Sequence, residues 1–216
     1  MRNKTVVVSC VLALFSFAAP ALAGPPFICH PFEIGTTASL PWIAGGWLGM
    51  RSDYDITRVV SDTEALLTPA MPTLARMETL RRAVLYASRD RAVAKRLLGA
   101  LIVRAHAADR AGAPNVLAVF DAGYAVEAIR EIELLGHHMS DLADRGRALA
   151  GLTGSLDGRS MLQRSAALRA DDATIAFALA LISETPDKGP HLAKARAGAT
   201  HDRLLATNMA RLQMLP

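Results

Sequence analysis

The sequence predicts an all-α protein: an irregular array of antiparallel helix pairs behind an extended N-terminal segment. Three observations carry this. Alanine, leucine and arginine dominate, aromatic residues make up only 5% of the chain, and β-branched residues form no long run. Such a composition favours helices with small packing side chains. From Ser52 onward apolar residues recur at three- and four-residue spacing, the period of an amphipathic helix. Residues 24–52 instead hold Pro25, Pro26, Pro31 and Pro41, with glycines at 24, 35, 45, 46 and 49, which break that period.

Residues 1–23 read as a removable export signal. Arg2 and Lys4 give a positive start, Val6 to Ala18 is an apolar run, and Ala21-Leu22-Ala23 is the small-x-small pattern of a cleavage site. Cleavage falls between Ala23 and Gly24. The run is too short to span a bilayer, and neither Cys10 nor Cys29 has the neighbours of a lipidation site. The expected location is periplasmic or secreted. Arg2 and Lys4 are the signal's basic residues, and none of the chain's 20 acids lies within it. The mature chain is therefore nearly neutral. Its arginines alternate with acids along helices, which predicts solvated faces and excludes the basic stripe that nucleic acid requires. No membrane span is expected after signal removal, because the longest uncharged run beyond it, Ile34 to Met50, contains Pro41 and several glycines.

The segment 24–52 is expected to be an extended strap. Its prolines forbid a regular helix, while Phe27, Phe32, Trp42 and Trp47 argue against disorder and predict anchoring into grooves of a helical body. Cys29 is the one cysteine beyond the signal, so no intramolecular disulfide is possible in the mature chain.

Residues 53–216 form the expected helical domain. Asp53 to Thr68 reads as a first helix, stopped by Pro69 and Pro72. Thr73 to Ser88 places Leu74, Met77, Leu80, Val84 and Ala87 on one face, with Arg76, Glu78, Arg81 and Arg82 mainly off it. Arg91 to Arg110 repeats the pattern, and Gly112 and Pro114 mark a stop and restart. Val116 to Leu135 carries the stripe Leu117, Phe120, Tyr124, Ala128, Ile132 and Leu135, with Gly136 as C-terminal cap. Shorter helices are expected near 140–150, 158–169, 172–184, 189–199 and 202–214.

An internal repeat ties these helices together. Leu80, Ala83, Asp90 and Ala94 recur at the same spacing as Leu162, Ser165, Asp172 and Ala176, and as Leu192, Ala195, Asp202 and Ala206. The leucine and the small residue sit one turn apart on an inner face. The aspartate opens the next helix, and the alanine lets the two helices approach. Leu162 to Leu179 resembles the junction between successive tetratricopeptide repeats, and Gly123 to Ile129 is similar to the turn and second helix of one; the family's large aromatic early in helix A and its inter-repeat proline are absent. Separately, Pro25-Pro26-Phe27-Ile28-Cys29-His30-Pro31-Phe32-Glu33-Ile34-Gly35, Ser39-Leu40-Pro41-Trp42 and Arg76-Met77-Glu78-Thr79-Leu80-Arg81-Arg82 resemble an uncharacterised family of exported bacterial helical proteins. That resemblance implies a location and a fold but no chemistry.

Cys29-His30 is the sharpest chemical candidate. Thiolate and imidazole are ligands for copper or zinc, and a neighbouring imidazole lowers a thiol pKa. Two adjacent residues supply at most two ligands, and a metal site needs more. Two readings stand: a buried small hydrophobe beside a hydrogen-bonded histidine, or a metal- or redox-linked thiol completed by ligands the fold supplies. His137-His138 follows a helix end, where positive charge is favourable in itself. Asp121 and Glu127 flank Tyr124 and are candidates to line a groove, with pairing to Arg130 as the alternative. No nucleophile elbow, phosphate loop or dinucleotide fingerprint is present.

The first functional expectation is an exported scaffold that binds a protein or peptide in a groove between helix pairs, with an Arg/Glu rim setting specificity and no catalytic activity or cofactor inferred. The alternative is a metal- or redox-linked periplasmic protein that uses Cys29 and His30.

Overall fold

A computed structural model of the chain describes residues 26–110, 115–183 and 187–214. The export signal, its Ala23–Gly24 cleavage site and the Gly112–Pro114 restart lie outside the described residues. Among those residues are nine α-helices and no strand, so the chain is all-α.

From Pro26 to Asp55 there is no α-helix, only a 3-10 turn at Phe27–Cys29. A second 3-10 turn, Ile56–Arg58, leads into α1, Val59–Leu66. The helix expected from Asp53 therefore starts later. The Asp55 carboxylate accepts the Thr57 amide at 2.9 Å, which fixes a cap at 55. The next two helices, α2 (Thr73–Ala87) and α3 (Arg91–Arg110), are joined by a tight turn at Asp90. Asn115 caps α4, Val116–Leu135, by accepting the Ala118 amide at 3.1 Å. Then follow α5 (Ser140–Leu149), α6 (Gly158–Leu168), α7 (Ala173–Ile182), α8 (Lys188–Ala199) and α9 (Arg203–Arg211).

The three aspartates of the spaced pattern all cap the helix that follows them. Asp90 accepts the Ala92 amide at 2.7 Å, Asp172 the Thr174 amide at 3.0 Å and Asp202 the Leu205 amide at 3.0 Å. Each supplies a carboxylate to amides that have no partner within their own helix.

Helix α4 is the axis of the core and packs against α2, α3, α5, α6 and α7. Glycines permit two close crossings of α4. A Cβ at Gly123 would lie 2.8 Å from the Gly158 carbonyl, so α4 and α6 touch backbone to backbone. Gly136 caps α4, but in right-handed helical conformation at φ −59°. Its glycine is required by the second crossing: a Cβ there would lie 2.9 Å from Gly146 Cα on α5.

The charges of α2 are not solvated, which corrects the expected polar face. Arg76, Glu78 and Arg81 are all fully buried, and Arg82 is partly buried. Alternation of sign along a helix marks an exposed face only if nothing polar covers it. Here the backbone of residues 28–47 supplies the hydrogen-bonding groups for Glu78, Arg81 and Arg82, and the carbonyls of Leu67 and Thr68 supply those for Arg76.

Candidate functional site

The N-terminal segment reaches its place through side chains that recognise its main chain. Glu131 on α4 accepts the amides of Phe27 and Ile28 at 3.2 and 2.7 Å. Glu78 accepts the Phe32 amide at 3.0 Å. Asn208 on α9 pairs with Glu33 in both directions, accepting its amide at 2.7 Å and donating to its carbonyl at 2.9 Å. Arg81 Nη1 donates to the carbonyls of Ile28 and Trp47, and Arg82 Nη1 to that of Leu40. The Tyr86 hydroxyl donates to Pro41 O at 2.7 Å and accepts from Arg51 N at 2.9 Å. Proline-rich chain has no helix or sheet to satisfy its polar groups, so α2, α4 and α9 provide substitutes.

The rings fix the same segment laterally. Phe27 packs on Tyr124 with centroids 5.1 Å apart, and Phe32 meets Phe177 edge-on at 6.0 Å. Trp42 stands edge-on to Tyr86, with the Arg81 guanidinium 4.9 Å from its ring centre and that of Arg82 at 5.6 Å.

Outside this contact the segment and the end of α9 leave an open cleft of about 740 Å³. Its walls include Cys29, His30, Phe32, Glu33, Trp42, Trp47, Arg82 and Arg211. Cys29 is half-buried at its edge. Burial, and then the nearby Glu131 carboxylate, push the thiol pKa up to about 11 against the opposing effect of Arg81. It is therefore a neutral thiol at neutral pH, the opposite of an activated nucleophile. His30 Nδ1 lies 2.8 Å from Pro26 O, so that nitrogen carries a proton and the other does not when the ring is neutral. Cys29 and His30 thus line one cleft, but among the described residues no three His, Cys, Asp or Glu side chains group in a way that holds a metal ion.

The other expected site residues lie elsewhere. Asp121 and Tyr124 are fully buried and border no open groove. Asp121 sits 3.4 Å from Arg76 Nε and 3.8 Å from Arg104 Nη1, too far or too badly aimed for hydrogen bonds. Desolvation raises its pKa to about 7, against the pull of both arginines. The Tyr124 hydroxyl has no hydrogen-bond partner among the described residues, and its pKa is pushed well above the usual value, chiefly by burial. Glu127 pairs with Arg130 at 2.9 Å, and desolvation also raises its pKa.

Glu131, which beside Glu133 reads from the sequence as part of a solvated face, is instead half-buried against the N-terminal segment. Burial pushes its pKa up to about 7, with the Ile28 and Phe27 amides pulling it back. A signal was present: Glu131 lies two turns after Tyr124, on the margin of the apolar stripe of α4, where an unpaired carboxylate is costly. No helix among the described residues is long and apolar enough to cross a membrane. No protein family matches the chain, and no curated protein or solved structure matches it significantly.

Proposed function

We propose that the chain is an exported helical scaffold that binds a protein or peptide partner and has no catalysis of its own. In this reading residues 1–23 are removed on export, and residues 24–52 are a strap over a tetratricopeptide-like array of helix pairs. The resemblance to exported bacterial helical proteins agrees with it. The aspartate-capped junctions at 90, 172 and 202 support the helix-pair part.

The observation that carries the binding reading is the open cleft of about 740 Å³, with Trp42 and Trp47 only partly covered on its wall. Tryptophan and arginine side by side are what interfaces concentrate, because each gives large contact area with a polar handle. The charged face of α2 is already engaged with the chain's own segment, so recognition falls to the outer cleft. An apolar anchor buries against the indoles while Arg82 and Arg211 orient its polar neighbours.

A photo-crosslinking group at Ala44, an exposed residue of the cleft, tests this against the same group at Val103 on α3, which is 62% exposed. In the native compartment Ala44 should give a defined adduct and Val103 none. Equal labelling from both positions, or none from either, contradicts the reading.

A further inference from the structure

We propose that the occupant of this cleft is an acidic peptide segment with an apolar anchor, laid across two adjoining clefts; this rests on the binding reading above. A second cleft of about 380 Å³ shares His30, Arg211 and Leu212 with the first and continues past Arg196. The two form a track longer than one side chain, which suits an extended peptide better than a single small ion.

The charge of the track points one way. Glu33 is the one carboxylate on either wall among the described residues, and it is engaged: it accepts from Gly35 N at 3.2 Å and Arg211 Nη2 at 3.3 Å. Under Trp42 the guanidiniums of Arg81 and Arg82 share a single carboxylate, Glu78. On the walls themselves Arg82, Arg196 and Arg211 stand against Glu33, which leaves a positive surplus along the track. Arg211 itself is 56% exposed at the junction of the clefts. Carboxylates on a ligand find a complementary potential here, and an aliphatic or aromatic residue between them finds the indoles.

The test titrates the mature chain, followed by tryptophan fluorescence, with three peptides of equal length. All share one Leu-Phe anchor, flanked by aspartates and glutamates, by serines, or by lysines. The acidic peptide should bind at least about tenfold tighter than the serine peptide, and raised salt should shrink that margin. Arg211→Glu should abolish the margin and Arg211→Gln should reduce it, with circular dichroism and melting unchanged. If the serine or lysine peptide binds as tightly, the acidic preference is overturned while peptide binding stands. If no peptide binds, both the preference and the binding reading fall. A self-association that Arg211→Glu dissolves, with no peptide bound, overturns the proposal in favour of a second copy of the chain.

Discussion

Helices α2 and α7 are both buried almost all round, yet they are made of opposite materials. From Thr174 to Leu181 α7 is a continuous buried run with no charged residue, sealed at its start by Asp172. Along α2, Arg76, Glu78 and Arg81 are buried among Met77, Leu80 and Val84. An apolar helix needs only a cavity of the right shape. A charged one needs partners for its polar atoms: on α2 those of Glu78 and Arg81 lie in each other and in the backbone of residues 28–47, and those of Arg76 in the Leu67 and Thr68 carbonyls. Burial thus holds α7, whereas Glu78, Arg81 and Arg82 of α2 form with the N-terminal segment two halves of one polar contact.

The same contrast separates two buried carboxylates. Glu78 accepts two hydrogen bonds from Arg81, at 2.8 and 2.9 Å, one from Arg82 at 2.6 Å and one from the Phe32 amide at 3.0 Å. Asp121 also lies between two arginines but makes no side-chain hydrogen bond among the described residues. A buried ion is stabilised by geometry, not by the mere presence of an opposite charge.

The largest effect is expected from removing Glu78. Glu78→Ala leaves two guanidiniums uncompensated and should cost about 3–5 kcal/mol in urea unfolding, with a change in Trp42 fluorescence. A loss below about 1 kcal/mol would show that the α2 charges are solvated after all. In α7, Leu179→Ala should cost about 2–5 kcal/mol through cavity formation and leave the native tryptophan signal as it was. A changed signal would mean that the two regions are not energetically distinct.

A smaller effect concerns pH. Asp121 and Glu131 both have folded pKa values near 7, raised by burial above the unfolded carboxylate range. Raised carboxylates contribute stability that is present at acid pH, declines as pH rises from about 4, and is gone above about 7. The urea midpoint should therefore fall between pH 5 and pH 7.5, and the double variant Asp121→Asn, Glu131→Gln should flatten that fall. A midpoint that rises over this range, unaltered in the variant, would contradict the assignment. The smallest change is expected at the cap of α7. Asp172→Ala should cost about 1 kcal/mol, slightly more for its lost bond from Thr73 Oγ1 at 2.9 Å. No measurable loss would leave α7 held by burial alone.

Periodicity and caps made most helices legible. Thr73, Arg91, Val116 and Ser140 open their helices as the pattern predicts. Those signals are local, and local backbone chemistry decides them. Buried Arg76, Glu78 and Arg81 were not legible, because alternating charges look alike whether water or a distant backbone satisfies them. The hydrogen bond from Phe32 to Glu78 spans 46 residues, and the one from Ile28 to Glu131 spans 103. Cys29 and His30 stood out in the sequence and do share a cleft wall. Trp47, Arg82 and Arg211 of that cleft come from three separate elements, which no spacing rule connects.

Amide hydrogen exchange, resolved by residue, reads directly whether carboxylates hold the N-terminal segment. The amides of Ile28 and Phe32 lie outside any α-helix, and their acceptors are carboxylates rather than a helical ladder. They should exchange on the timescale of α2 amides, and Glu131→Gln should speed Phe27 and Ile28 while leaving α7 amides unchanged. If Ile28 and Phe32 exchange as freely as in an unstructured peptide while α2 and α7 remain protected, the segment is not bound through those carboxylates and the account is wrong.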